Sequence, residues 1–92
     1  PIIKTTATTF IPTIAHHTVL CDATSTAITI SLPPASGCYG REYIFKKIDS
    51  SSNFVTISAN TVETIDGVST DIIQNQWDAR KIKSDGQNWF KI

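Results

Sequence analysis

The sequence predicts an all-β fold: a small antiparallel β-sandwich or barrel-like domain of about eight short strands, assembled as an oligomer. Fourteen Ile, four Val and thirteen Thr supply 31 of the 92 residues, while Leu and Glu occur twice each, so β-branched residues stand where helix formers usually do. No stretch carries a 3.6-residue apolar stripe, whereas several alternate apolar and polar residues with the period of two that a half-buried strand requires. Turn-forming residues recur at roughly the 8–12-residue spacing of a sandwich or small barrel.

Residues 1–17 mix Thr with isolated apolar side chains and contain Pro12, which lacks a ladder donor, so they read as an extended N-terminal arm or linker. Residues 18–92 read as a single β domain with no internal boundary and no repeat of fixed period. Strands fall at 18–22 and at 27–32, where Ile28, Ile30 and Leu32 face one way and Thr29 and Ser31 the other. Pro33 and Pro34 end the second strand, and the loop to Gly40 has room for a single helical turn. The strand at 42–48 has apolar residues on both faces, Tyr43 and Phe45 against Ile44 and Ile48, which places it at the centre of a sheet. Asp49 to Asn53 forms a turn by composition, and 54–59 alternates again, so 42–48 and 54–59 are expected to pair as a hairpin. Glu63 to Asp66 leads into Gly67, and a short strand follows at 71–74. Residues 80–84 pair with 88–92 across Asp85-Gly86-Gln87, because an Asp-Gly step tolerates the positive φ of a tight hairpin turn.

Size and charge limit the function classes. A monomer of this mass should expose ~5,300 Å² and bury ~64% of its unfolded surface, a marginal fraction. Eight Lys plus Arg cancel eight Asp plus Glu, leaving no basic excess for nucleic acid or an anionic membrane. Charged residues are 17% of the chain, against a usual ~25%, and residues 1–40 hold only Lys4 and Asp22. Such a charge-poor half on a small domain calls for an oligomer interface. No apolar run approaches the ~18 residues of a membrane helix and no signal peptide is visible, so no membrane insertion is expected. The Pro1 start and the lack of Met suit a fragment of a longer protein, or removal of an initiator Met.

No nucleophile elbow, metalloprotease helix or phosphate loop occurs, so neither catalytic residues nor a cofactor are expected. Asp66, Asp71, Asp78 and Asp85 sit in turns or beside Gly, where Asp bonds its own backbone. Adjacent His16 and His17 point to opposite faces of an extended chain and cannot share an ion. Their one metal route is a single His from each of three chains meeting on a threefold axis. Trp89 and Tyr43 hold strand positions and read as packing residues. Tyr39 and Trp77 fall in loop or turn contexts and are the ligand-facing candidates, with Gln76 and Asp78 as hydrogen-bonding neighbours for a sugar ring.

The order of landmarks resembles a small β module found near the C-termini of bacteriophage tail fibres, tailspikes and related receptor-binding proteins. The resemblance lies in an alternating strand running into Leu32-Pro33-Pro34, a Gly before an aromatic-rich strand with Lys46, Lys47 and Asp49, the Val55-Thr56-Ile57-Ser58 strand, the Glu63-Thr64-Ile65-Asp66-Gly67 turn and the terminal Asp85-Gly86-Gln87-Asn88-Trp89. It spans Thr18 to Ile92. It implies a non-enzymatic homotrimer at the tip of a virion tail fibre or spike, assembled in the host cytoplasm and contacting a host cell-surface glycan or protein through its loops. In that reducing compartment Cys21 and Cys38 would remain free thiols rather than a disulfide. Two other readings stand beside it: a trimerisation or capping module with no ligand of its own, and a monomeric carbohydrate-binding module of a secreted enzyme. A receptor tip should carry a groove lined by Tyr39 or Trp77, whereas a cap should expose only small polar residues.

Overall fold

Alternating burial along the strands turns one face of each toward a shared interior, and the chain delivers those strands to two sheets in turn. The computed structural model describes residues 1–92. Its strands are β1 (Ile2–Thr5), β2 (Thr9–Phe10), β3 (Thr18–Cys21), β4 (Ile28–Ser31), β5 (Glu42–Lys47), β6 (Val55–Ser58), β7 (Thr70–Ile73), β8 (Ala79–Ser84) and β9 (Trp89–Lys91), with one 3₁₀ turn at Ala35–Gly37. A five-stranded sheet has the order β1-β3-β5-β8-β9 and a four-stranded sheet the order β2-β4-β6-β7. From β1 to β6 the chain thus circles between the sheets, and each circuit adds one strand to each. Successive circuits stack in parallel, β1 on β3 on β5 and β2 on β4 on β6. The last three strands close the sheets with antiparallel pairs.

The all-β class holds, but the antiparallel expectation is corrected: both sheets are mixed. The hairpin expected between 42–48 and 54–59 does not form, because β5 and β6 lie in different sheets and the Asp49 to Asn53 segment crosses between them. In the 63–67 turn, Ile65 makes isolated bridges to Val68 and Trp89. The segment 1–17 is extended, and it is stitched into the fold as the edge strands β1 and β2. The β8–β9 pair across Asp85-Gly86 is as predicted.

Val19, Cys21, Tyr43, Phe45, Ile82 and Trp89 meet Ile28, Ile30, Val55, Ile57 and Ile73 in one core between the sheets. Tyr43 and Trp89 stack at 5.7 Å between ring centroids. The accessible surface is 4903 Å², slightly below the ~5,300 Å² expected of a free monomer of this mass, so one chain closes its own core.

One corner of the circuit is held by charge. Alternation on β5 carries Lys47 to the same side as Tyr43 and Phe45, and its side chain is fully buried. Its Nζ lies 2.7 Å from Asp49 Oδ2 and donates to the carbonyls of Asp49 and Ser51 at 3.1 and 3.0 Å. Asp49 Oδ1 accepts the Ala23 N–H at 2.7 Å, tying this crossing to the one before it. Asn53 Nδ2 donates to Ala23 O, and the Ser51 hydroxyl, 3.1 Å from the same carbonyl, donates to Asp49 Oδ2. Two crossing loops lack a ladder to satisfy their backbone groups, and these side chains take its place. Burial acts to raise the Asp49 carboxyl pKa, but hydrogen bonds from Lys47, Ser51 and Ala23 outweigh it and hold the group well below the usual carboxylate range.

Candidate functional site

The register that turns Tyr43, Phe45 and Lys47 inward turns Glu42, Ile44 and Lys46 to the outer face of the five-stranded sheet. There they lie opposite Lys83, Lys81 and Ala79 of β8, and Lys83 in turn lies opposite Phe90 of β9. Exposed aromatic rings stand at both ends of this strip.

Tyr39 stands at the Glu42–Lys83 end, 83% exposed. Gly40, at φ +74°, lets the chain reverse immediately after it. A Cβ at Gly86 would come within 3.1 Å of Tyr39 Cδ1, so the bare glycine leaves room for the ring. Tyr39, Lys83, Asp85, Phe90 and Ile92 are among the residues around an open cleft of about 480 Å³, within the usual size range of small-ligand sites. Asp85 serves the hairpin turn: its Oδ1 accepts the Gln87 and Asn88 N–H groups, both at 2.9 Å, and these bonds lower its pKa.

Trp77 stands at the other end, in the crossing from β7 to β8. It is 60% exposed and its backbone has φ +74°, a region that bulky residues rarely occupy. Its N–H donates to Lys47 O at 2.7 Å, and Gln76 Nε2 donates to Ile48 O at 3.1 Å. Asn75 Nδ2 donates to Asp78 Oδ2 at 3.4 Å, so Gln76 and Asp78 fasten the turn that presents the Trp77 ring. Lys46 Nζ lies 6.0 Å from the centroid of that ring. Gln76, Trp77 and Asp78 are therefore together, while Tyr39 is separated from them by the six residues of β8, roughly 20 Å of strand.

Both histidines and Glu42 have internal partners. His16 Nδ1 accepts the Thr13 N–H at 3.0 Å. His17 Nδ1 lies 3.0 Å from Thr18 Oγ1, and its Nε2 lies 3.2 Å from Glu42 Oε1. The hydrogen bond with His17, with help from Lys81 and Lys83, holds Glu42 below its ordinary range against partial desolvation. No group of three or more His, Cys, Asp or Glu side chains converges. Cys21 and Cys38 are free and buried, and burial together with the Asp49 charge pushes the Cys21 thiol up to about 12. A second, apolar cleft of about 570 Å³ lies between residues 11–14 and the Pro33 to Cys38 loop. The adjoining chain is clamped there by Arg41, whose Nη2 donates to Ile14 O and His16 O and lies 3.4 Å from Thr13 O.

Lys46, Lys83 and Phe90 were not among the sequence candidates. Lys46 was recoverable from alternation on β5, and Phe90 from the Asp-Gly hairpin, since an inward Trp89 sends its neighbour outward. The chain matches no protein-family model, no curated protein and no solved structure.

Proposed function

We propose that this chain is the non-enzymatic distal domain of a phage tail fibre or receptor-binding protein, a homotrimer that contacts a host-surface glycan through the outer face of its five-stranded sheet. The observation that carries this reading is the pair of exposed rings. Tyr39 projects over an open cleft, and Trp77 is held in solvent by a left-handed backbone that costs ~1–3 kcal/mol. A bulky ring held in solvent at positive φ supports a ligand-facing position there. The homotrimer is supported by the exposed Ile2, Ile11 and Ile14 and by the unpaired edge of β1, apolar and hydrogen-bonding surface that other copies would cover.

Light scattering gives the first test, with an expected mass about three times the 10.1 kDa of one chain. A glycan array on the same sample is then compared with Tyr39→Ala and Trp77→Ala, each of which should remain trimeric and lose signal. A trimer silent on every glycan is the capping module. A stable monomer that binds glycans is the carbohydrate-binding module.

A further inference from the structure

We propose that the outer face of the five-stranded sheet binds an anionic polysaccharide, a chain bearing carboxylate or sulfate groups, laid along β8 from Trp77 to the Tyr39–Phe90 cleft. This rests on the glycan reading above and adds the charge and the length of the ligand.

Pairing among the basic residues is the first support. Lys4, Lys47, Arg80, Lys81 and Lys91 each have a carboxylate within 4.0 Å. Arg41 is committed to backbone carbonyls. Lys46 and Lys83 form no ion pair within 4.0 Å, although Glu42 lies across the ladder from Lys83, and both point out from the same face. Each also stands beside an exposed aromatic: Lys46 near the Trp77 ring, Lys83 in the cleft with Tyr39 and Phe90. An unpaired ammonium beside a stacking ring is what an acidic sugar needs, one group for its charge and one for its apolar face.

The wider field agrees. Along β5 and β8 the outward residues include Lys46, Lys81 and Lys83 against one acid, Glu42. That glutamate is itself engaged by Lys81 at 3.6 Å and His17 at 3.2 Å. Counting Asp85 at the cleft end, the face holds three lysines against two acids, a slight basic excess on a chain of zero net charge. Asp85 at the cleft rim is engaged by the Gln87 and Asn88 N–H groups, which offset part of its negative charge. The roughly 20 Å between the two aromatic ends suits several linked sugars better than one ring. Single-stranded nucleic acid fits less well, because it needs a denser run of cations and a ring for successive bases. A second copy of the chain fits less well too, since lysine is depleted at protein interfaces.

The test is affinity electrophoresis of the full chain through gels containing polygalacturonate, dextran sulfate or uncharged dextran. Retardation by at least one of the two acidic polymers and not by dextran is expected, and the responding polymer distinguishes carboxylate from sulfate. Lys46→Gln/Lys83→Gln should weaken retardation at least tenfold, and Trp77→Ala should weaken it with the charge unchanged. Lys91→Gln, off this face, should not. Salt of ~1 M, where screening acts within ~3 Å, should remove most of the effect. Equal retardation by dextran, unaffected by the lysine substitutions, overturns the anionic assignment and leaves the glycan reading standing. No retardation by either acidic polymer overturns it as well, and the glycan array then decides the broader reading separately. Oligothymidylate binding as tight as that of the acidic polymers also overturns it, by making the face a general polyanion surface.

Discussion

Replacing Asp49 by Asn strikes the buried corner where two crossing loops are joined. Asp49 Oδ2 receives Lys47 Nζ at 2.7 Å and the Ser51 N–H at 3.1 Å, together with the Ser51 hydroxyl, while Oδ1 receives the Ala23 N–H at 2.7 Å. Asn keeps one acceptor oxygen and sets an NH₂ against donors at the other position. It also leaves the Lys47 ammonium, 0% exposed, with two carbonyls and no counter-charge. Breaking a buried pair from one side costs ~3–5 kcal/mol. At ~4–8 °C per kcal/mol for a domain of this size, Tm should fall by at least ~12 °C. Linkage adds a pH signature. The folded carboxyl is held below its unfolded value of ~3.9, so its stabilisation is complete well above that pH and is lost as pH falls toward the folded value. Urea unfolding followed by circular dichroism at pH 7 and at ~pH 2 should therefore show a large gap between the wild type and Asp49→Asn that narrows in acid. Lys47→Met/Asp49→Asn should recover part of the loss, because the stranded charge is gone. A Tm loss below ~4 °C at pH 7, or a gap that does not change with pH, would refute this account of the corner.

Trp89 is fully buried against Tyr43 and its indole N–H has no protein acceptor, so packing alone holds it. Trp89→Ala should lose ~3–5 kcal/mol in denaturant unfolding, and a loss under ~1 kcal/mol would contradict its place in the core. Trp77→Gly removes a bulky side chain from φ +74° and should raise stability by ~1 kcal/mol in the same assay while abolishing glycan retention; a destabilised variant would mean that the ring contributes packing. In the folded protein neither Cys21 nor Cys38 should react rapidly with a thiol reagent at pH 8, and both should react in denaturant. A rapidly titrating thiol in the folded state would contradict the burial of that cysteine.

Strand positions were largely legible because alternation is local. Ile28 and Ile30, or Val55 and Ile57, announce which side is buried whatever lies beyond it, and Asp85-Gly86 encodes its own turn. The same rule already sent Lys47 into the core behind Tyr43 and Phe45, although the lysine hid that signal. Pairing was not legible. A five-residue polar link such as Asp49 to Asn53 serves a hairpin or a crossing between sheets equally well, and nothing local chooses. The parallel stack also left no period to find. Register sets Thr18 on Ile2 but Ile44 on Thr18, so the circuits differ in length.

The sequence by itself determined an all-β chain, its inward-facing residues, its terminal hairpin and the two loop aromatics left exposed, since each follows from backbone sterics and period-two burial within a few residues. Tertiary structure alone decided which strands became neighbours, that Lys47 would meet Asp49 inside the corner, and that Tyr39 and Trp77 would mark opposite ends of one lysine-bearing face. Those outcomes depend on contacts between segments far apart in the chain, whose free energy is settled only when both sheets close on the common core.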